Sequence, residues 1–458
     1  MNARPPSPHP SATHSLPPEE IAFHPTSFCD PDGRVFEWQG HLYRGISASY
    51  APFCQNLFDT GIANALISAK FLIETELTQF ALPNYPLVLK HRRLPFVSYA
   101  CEWCPEMLKD AAQFTLDMMR HLAQHGLTVD VGTWDILYDA CQPRYVDFCS
   151  IAAASTYDRH TWNGVLDDFT SYFLNPLRLM SQGKPHLARW LLSDYEHRTI
   201  HAELAALMGQ QIYSHRKTYS SNPLARKLNE KLAAQRDPCR LDLVQKMQRS
   251  LNQIQILPPK PPSQFTLDRA STLSHLIATL RPATILDLGC GSGQYARLAA
   301  TSGAQVIAID RDDRQIARCY QTAKAQQLPV LSLVMDIRYP SAAQGTGKPF
   351  LAPATERLAC EFVLALDLLH LLIFEQHLTL AQAVDAIAIY ATQYLLIEFS
   401  HFQPSAEPAA HSPYQLQTLV ELLQQQFSQV DILPSKDTHP LLLCQRDPQE
   451  TLMHNSRL

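Results

Sequence analysis

Residues 284–310 read TILDLGCGSGQYARLAATSGAQVIAID and predict one strand-helix-strand unit. The segment 283–288 is short, apolar and rich in branched side chains, which is typical of a buried parallel strand. Three glycines follow it at alternate positions: Gly289, Gly291 and Gly293. Glycine tolerates positive φ and leaves room for a ligand close to the backbone, so we expect a tight turn before a helix that begins near Gln294. A second strand is predicted over 306–309.

Two carboxylates flank this unit. Asp310 ends the second strand about twenty residues after Gly289, a spacing that suits a carboxylate accepting hydrogen bonds from ribose hydroxyls. A dinucleotide fits less well, because its usual motif has glycine where Gln294 stands and because Asp287 would repel a pyrophosphate. S-adenosylmethionine carries a sulfonium and an ammonium but no phosphate, so nearby carboxylates favour it. The segment therefore predicts a site for a cationic nucleoside.

Residues 287–293 match the pattern D/E-x-G-x-G-x-G, and with this loop the chain resembles the class I S-adenosylmethionine-dependent methyltransferases. The resemblance implies an α/β fold with a Rossmann-like sheet of seven strands over residues 264–448. Further strands are predicted at 330–334, 362–366 and 394–397. The resemblance also implies S-adenosyl-L-methionine as cofactor, with Asp336 near the adenine amino group. The implied cofactor-binding residues are Asp287, Gly289, Gly291, Gly293, Asp310, Asp336 and Asp367. The alternative is an ordinary turn between a strand and a helix.

The candidate catalytic bases follow the fourth and fifth predicted strands. Open α/β sheets bind ligands outside the carboxyl ends of their strands, so His370 and Glu398 should both face the pocket. A base is needed only if the methyl acceptor keeps its proton, and His370 has the alternative of lining the pocket or the core. Residues 367–370 read DLLH and lack the N/D-P-P-Y/F signature of amino-group methyltransferases, which disfavours methylation of nucleic-acid bases or protein amides. We expect a small-molecule or conjugated acceptor.

Proline-rich stretches divide the chain. Residues 1–20 are rich in Pro and Ser and contain few apolar side chains, so we predict a disordered tail. Residues 257–263 contain successive prolines, which cannot continue a helix and predict an extended linker. This division gives an N-terminal domain over 21–256, the methyltransferase-like domain over 264–448 and a C-terminal tail over 449–458.

The N-terminal domain carries aspartates whose spacing resembles the catalytic and metal-binding loops of the protein-kinase-like fold. The resemblance matches Asp130 to the catalytic-loop aspartate and Asp147-Phe148 to the start of the magnesium-binding D-F-G. Asp135 stands where asparagine is expected, Cys149 stands where glycine is expected, and no glycine-rich phosphate loop precedes them. Three alternatives stay open: a phosphotransfer lobe, a kinase-like binding or scaffolding lobe, and an unrelated α+β domain.

A wider resemblance covers most of the chain. Three stretches resemble a group of bacterial two-part proteins in which such an N-terminal segment precedes a methyltransferase domain: residues 89–102, 107–127 and 173–182. The resemblance implies no particular acceptor. It favours a kinase-like lobe over an unrelated domain in the N-terminal part.

Composition limits the other classes of function. The 38 basic and 43 acidic residues give a net charge of −5, which argues against a surface that coats nucleic acid, although the basic run 215–249 leaves a local patch open. No long apolar run or signal segment is present, so we expect a cytoplasmic protein without membrane contact. The 11 cysteines are scattered. Residues 101–104 form a single C-x-x-C, and the histidines form no ligand set, so no metal is expected.

Overall fold

The structure is a computed structural model that describes residues 14–27, 30–193, 237–262, 266–344, 351–400, 414–434 and 439–447. Within them, the strands before and after the proline-rich linker belong to different sheets. The predicted tail over 449–458 and much of the basic run over 215–249 lie outside the described residues. None of the described helices is long and apolar enough to span a lipid bilayer.

The first part of the chain forms a five-stranded antiparallel sheet beside a short parallel pair. Its strands are β1 (His14–Ser15), β2 (Ala22–Phe23), β3 (Gly33–Trp38), β4 (His41–Ile46), β5 (Thr75–Leu77), β6 (Phe80–Ala81) and β7 (Leu87–His91). The sheet order is β2-β3-β4-β7-β5, and β1 pairs with β6. Phe36 of β3 and Tyr43 of β4 stack at 5.5 Å and form a small core with Leu16 and Val88.

The disordered tail predicted over residues 1–20 is too long. His14 and Ser15 pair with β6, and the backbone N–H of Leu16 donates to the carbonyl oxygen of Ala81 at 2.9 Å. The Leu16 side chain is buried in the small core. Leu16 thus anchors this Pro- and Ser-rich segment, because its side chain is removed from water. The hydrogen bonds between the segment and β6 add to this stabilisation. Residues 1–13 lie outside the described residues.

The described helices before the linker are α1 (Ala51–Asp59), α2 (Ile62–Ser68), α3 (Pro105–Ala123), α4 (Arg159–Phe169), α5 (Asn175–Ser181), α6 (Pro185–Ser193) and α7 (Leu241–Asn252). The longest of these, α3, begins at Pro105, where the missing N–H removes no helical hydrogen bond. Most of its apolar residues are buried and repeat at helical spacing, among them Leu108, Ala112 and Leu116.

Two small antiparallel pairs follow α3. Strand β8 (Leu127–Val129) pairs with β11 (Ile151–Ala153), and β9 (Ile136–Asp139) forms a hairpin with β10 (Gln142–Tyr145). Asp130 comes directly after β8, and Asp147 lies between β10 and β11. Because the end of β8 is opposite the start of β11, this topology brings the two aspartate loops to one end of the pair.

The C-terminal part contains one seven-stranded sheet with helices between its strands. The strands are β12 (Thr284–Leu288), β13 (Gln305–Asp310), β14 (Val330–Val334), β15 (Cys360–Ala365), β16 (Ala391–Glu398), β17 (Gln429–Leu433) and β18 (Leu441–Gln445). The helices are α8 (Leu267–Leu280), α9 (Gln294–Ala300), α10 (Asp313–Gln326), α11 (Ala354–Arg357), α12 (Leu380–Ala388) and α13 (Leu416–Gln424). The order is β14-β13-β12-β15-β16-β18-β17, in which β12 to β16 run parallel and β18 runs antiparallel to its neighbours. This arrangement fits the predicted Rossmann-like sheet.

The two parts of the chain share a continuous buried core. The Tyr138 and Tyr320 rings meet edge to face at 6.0 Å, and the Tyr320 hydroxyl donates to Asp110 at 2.7 Å. Glu102 and Arg357 form a buried ion pair across the same interface. Residues 257–262 contain no helix or strand. They lie against α10 and are hydrogen-bonded to it. The N-terminal part is therefore packed against the methyltransferase-like sheet rather than tethered beside it.

Candidate cofactor site

The glycine turn lies where the strand order of the sheet reverses. The chain passes from β12 to β13 and β14 on one side and then returns to β15 on the other side of β12. In open α/β sheets this reversal opens a crevice at the carboxyl ends of the strands. The crevice therefore lies next to the glycines that follow β12.

Two of these glycines are required by their surroundings. Gly289 has a φ of 72°, and a Cβ placed on it would lie 2.9 Å from the Leu368 side chain. Gly293 has a φ of 74°, and its Cβ would collide with the Cys319 Sγ. The turn thus brings the backbone close to the side chains of Leu368 and Cys319, which a larger residue would prevent.

Asp310 joins the second strand to the glycine turn. Its Oδ2 accepts the backbone N–H of Gly291 at 3.0 Å, and its Oδ1 accepts the backbone N–H of Asp312 at 2.8 Å. Burial raises the pKa of Asp310, while these two hydrogen bonds oppose the shift. These two backbone hydrogen bonds therefore hold the Asp310 carboxylate at the end of β13, the position that the sequence predicts.

Asp287 lies under the turn. It is 2% exposed, and its Oδ2 has no hydrogen-bond partner within the described part of the chain. Burial raises its pKa to about 7; a backbone hydrogen bond from Ala296 lowers it, and the charge of Asp310 raises it. A buried carboxylate is costly unless a cation or a donor compensates it. A cationic ligand close to this group would supply that compensation.

A cleft opens at the carboxyl ends of β12, β13 and β14. Three of the predicted cofactor-binding residues line it: Gly289, Asp310 and Asp336. The other lining residues are mostly apolar: Leu288, Ile309, Arg311, Met335, Ile337, Leu368, Leu371 and Gln376. The Asp336 carboxylate accepts from Arg338 Nη2 at 2.7 Å. Burial raises the pKa of Asp336, but the hydrogen bonds from Arg338 outweigh this effect and hold the pKa below its usual value. The cleft combines an apolar floor with carboxylates at its edge, as a nucleoside requires.

Arg269 of α8 organises the remaining predicted residues. It donates to Asp367 Oδ2 at 2.6 Å and to Glu398 Oε1 at 2.5 Å. The second oxygen of Glu398 accepts the backbone N–H of Asp367 at 2.9 Å. Asp367 takes a φ of 54°, which is unusual for a residue with a side chain. The network holds the chain in this conformation directly after β15.

This network contradicts one expectation from the sequence. Glu398 is 2% exposed and both of its oxygens are engaged, so it does not face the cleft as a base should. The reason is the long-range ion pair with Arg269, which no local pattern indicated. Asp367 also contacts Arg269, but its side chain is 50% exposed and the next residue, Leu368, lines the cleft, so its role in cofactor binding stays a prediction.

His370 is partly buried and directly precedes the π-helical turn Leu371–Glu375. Leu371, the first residue of this turn, lines the cleft. Burial lowers the pKa of His370 below its ordinary value, and the charges of Asp367 and Glu375 partly oppose the shift. The imidazole is therefore neutral at pH 7 and able to accept a proton.

Of the predicted aspartates of the N-terminal part, Asp147 pairs with a buried arginine. Arg44 of β4 donates to Asp147 Oδ1 at 2.8 Å and to Asp30 Oδ2 at 2.9 Å. Asp130 accepts from the Tyr157 hydroxyl at 2.7 Å. Burial raises the pKa of Asp135 well above its ordinary value, and the charges of Asp147 and Asp130 raise it further. No group of three His, Cys, Asp or Glu side chains among the described residues is arranged to hold a metal ion.

Comparisons with known proteins agree with the fold of the C-terminal part. Residues 285–349 match the family model described as a methyltransferase domain. The resemblance of this part to the class I S-adenosylmethionine-dependent methyltransferases is therefore confirmed. The chain is 25% identical over 400 residues to the nodulation protein NoeA of Rhizobium meliloti (strain 1021), covering 80% of this chain and 81% of that protein.

Solved structures with similarity to the chain include monomeric WbdD, at 18% identity and a TM-score of 0.31. The similarity covers 40% of this chain and 42% of WbdD, so it spans less than half of that protein. Another is the magnesium protoporphyrin IX methyltransferase ChlM of Synechocystis PCC 6803 with bound S-adenosylhomocysteine, at 16% identity and a TM-score of 0.28. That similarity covers 41% of this chain and 90% of ChlM.

Proposed function

We propose that this chain binds S-adenosylmethionine and transfers its methyl group to a small-molecule or conjugated acceptor. The observation that carries the proposal is the position of Asp310. This carboxylate ends the second strand, is held by the N–H of Gly291 and lines the cleft where the sheet order reverses. The hydroxyls of a ribose in this cleft would donate hydrogen bonds to the Asp310 carboxylate. The buried carboxylate of Asp287 favours a cationic nucleoside over a phosphorylated one.

The residues present fit such a cofactor. Asp310 would accept hydrogen bonds from the ribose hydroxyls, Asp336 would lie near the adenine, and Met335 and Ile337 would pack against its ring. When bound, the sulfonium supplies an activated methyl group for in-line displacement. The protein then has to align the acceptor and exclude water. The apolar side chains Leu368 and Leu371 at the rim of the cleft serve the exclusion of water.

His370 is the proposed proton acceptor for acceptors that keep a proton at neutral pH. Its lowered pKa favours the neutral imidazole, and the next residue along the chain, Leu371, lines the cleft. Glu398 has no such role in this proposal. The N-terminal part is proposed to recognise the acceptor or to act as a scaffold.

A labelling experiment separates an enzyme from a scaffold that binds the cofactor without transferring it. The full chain is incubated with S-adenosylmethionine labelled in its methyl group and with a small-molecule extract and a macromolecular extract in parallel. We expect labelled product with the wild type and much less with Asp310→Ala at the same cofactor concentration, whereas Asp385→Ala on the exposed face of α12 should behave as the wild type. Cofactor binding without any labelled product would overturn the transferase proposal and leave the scaffold.

A second candidate, phosphotransfer by the N-terminal part, is favoured by one observation. The Asp130 and Asp147 loops lie at one end of the β8 and β11 pair, and Arg44 from the neighbouring sheet reaches Asp147. A cation beside such an aspartate is what the phosphates of a nucleotide would need. If this candidate holds, ATP should raise the melting temperature only with magnesium, and Asp147→Asn should abolish the shift. An unchanged melting temperature with MgATP would count against it and leave a binding or scaffolding lobe.

A further inference from the structure

The turn that carries Asp310 is fastened by a residue of the N-terminal part. Asp313 is the first residue of α10 and lies three positions after Asp310. Arg189 of α6 forms a two-pronged ion pair with it, in which Nη1 donates to Oδ2 at 3.1 Å and Nη2 donates to Oδ1. Both side chains are mostly buried, at 16% and 15% exposure. Such a pair fixes the relative orientation of its two elements.

The proline-rich segment fastens the same turn a second time. Lys260 forms an ion pair with Asp312 Oδ2, and its backbone N–H donates to the carbonyl oxygen of Arg314 at 3.1 Å. The other oxygen of Asp312 accepts the backbone N–H of Arg314 at 2.9 Å and caps α10. The backbone N–H of Asp312 in turn donates to Asp310. Lys260 thus reaches the proposed ribose ligand through Asp312, and Arg189 holds Asp313, the next residue along the chain.

The charges at this helix end explain why cations are needed there. Asp310, Asp312 and Asp313 lie within four residues of sequence. Burial raises the pKa of Asp310, and the charge of Asp312 raises it further. The partial positive charge at the N-terminus of α10 offsets only part of the repulsion between these carboxylates. The charge of Arg311 lowers the pKa of Asp310. Arg189 and Lys260, which lie outside the seven-stranded sheet, add positive charge at Asp313 and Asp312.

We propose that the N-terminal part completes the cofactor site, with Arg189 as a positioning residue that sets the geometry of Asp310 through Asp313. The N-terminal part would then control cofactor affinity in addition to any role in acceptor recognition. A ligand that moves α6 would change the affinity of the C-terminal cleft, and the cofactor would reciprocally affect that ligand. This inference rests on the proposed function, because it concerns the same cleft.

The test uses calorimetric titration of the full chain with S-adenosylmethionine and with S-adenosylhomocysteine. The first ligand carries one more positive charge than the second. If Arg189 positions Asp310, Arg189→Ala should weaken both ligands to a similar extent, by about threefold to thirtyfold. If Arg189 acted only through its charge, removal of a cation would strengthen the cationic ligand relative to the neutral one. Retention of affinity by Arg189→Lys, or its recovery in the exchanged pair Arg189→Asp with Asp313→Arg, would support the positioning role.

The matched control is Arg240→Ala. Arg240 also lies in the N-terminal part and forms a two-pronged ion pair with Asp242, at 2.8 and 2.9 Å, but within the described residues it makes no hydrogen bond or ion pair to α10. It should leave both affinities unchanged. If Arg189→Ala does not fold, Arg189→Gln is titrated in its place. Wild-type affinity of Arg189→Ala, or of Arg189→Gln in its place, for both ligands would overturn this inference alone, whereas a wild type that binds neither ligand would overturn the proposed function itself.

Discussion

Arg269 and Glu398 form a buried ion pair at 2.5 Å that joins α8 to the end of β16. The pair also holds Asp367, because the other Glu398 oxygen accepts its backbone N–H. Leu368, the next residue, packs against Gly289 in the glycine turn. This connection makes Arg269 a structural support of the cofactor cleft, although it lies outside the cleft walls.

The first prediction concerns this pair. Arg269→Met should lower the free energy of unfolding by about 3–5 kcal/mol, because it leaves the Glu398 carboxylate buried without its cation. Denaturant unfolding measures the change. The double variant Arg269→Met with Glu398→Gln should recover part of the loss, since the amide oxygen can still accept the N–H of Asp367. A double variant as unstable as the sum of its single changes would contradict the assigned pairing.

The second prediction concerns the pH dependence of stability at Asp287. Its pKa of about 7 in the folded protein exceeds the ordinary 3.8, so between these values the unfolded state binds fewer protons. The contribution of Asp287 to the free energy of unfolding therefore falls as pH rises from about 4 to 7. Asp287→Asn removes this dependence. Relative to wild type, the variant should gain up to about 1.4 kcal/mol per pH unit across that window. A pH-independent difference in denaturant unfolding would contradict the raised pKa.

The third prediction concerns the choice of ligand at the same residue. Because Asp287 supplies negative charge near the glycine turn, Asp287→Asn should weaken S-adenosylmethionine more than S-adenosylhomocysteine. Calorimetric titration of both ligands at pH 8, where the wild-type carboxyl is ionised, gives the ratio of affinities. Asp385→Asn on α12 is the control and should leave the ratio unchanged. An equal loss for both ligands would show that the charge of Asp287 does not act on the sulfonium.

The fourth prediction concerns the glycine turn. Gly293→Ala places a side chain at positive φ and against the Cys319 sulfur, so it should destabilise the protein by about 1–3 kcal/mol and weaken cofactor binding. Gly40→Ala has a similar φ of 75° but no atom within 4 Å of the added Cβ. It serves as the control for the backbone cost alone. Equal destabilisation of the two variants in thermal unfolding would contradict the proposed close contact.

The fifth prediction concerns His370. His370→Gln keeps a hydrogen-bonding side chain but removes the proton acceptor, so methyl transfer should fall by about 10²- to 10⁴-fold while cofactor affinity stays unchanged. Initial rates with the labelled cofactor, and with the extract in which the wild type forms labelled product, measure methyl transfer. Calorimetric titration measures the cofactor affinity. A variant with unchanged rates would exclude His370 as the base.

The parts of the site that the sequence predicts are local in the chain. The glycines, Asp287 and Asp310 fall within one strand-helix-strand unit, whose turn geometry follows from residue type, and β14 has the predicted bounds 330–334. The ion pairs of Arg269, Arg189 and Arg44 connect residues about a hundred positions apart. No periodicity or spacing indicates such partners, because they depend on how helices pack on the sheet. For the same reason the burial of Glu398 could not be predicted.

The most direct test of the proposed site is calorimetric titration of the full chain with S-adenosylmethionine, comparing the wild type with Asp310→Ala. We expect the wild type to bind one equivalent. Asp310→Ala should bind about 10- to 150-fold more weakly, because it loses a charge-assisted contact of about 1.5–3 kcal/mol to the ribose. Absence of binding to the wild type, or equal affinity in the variant, would contradict the assignment of this cleft to the cofactor.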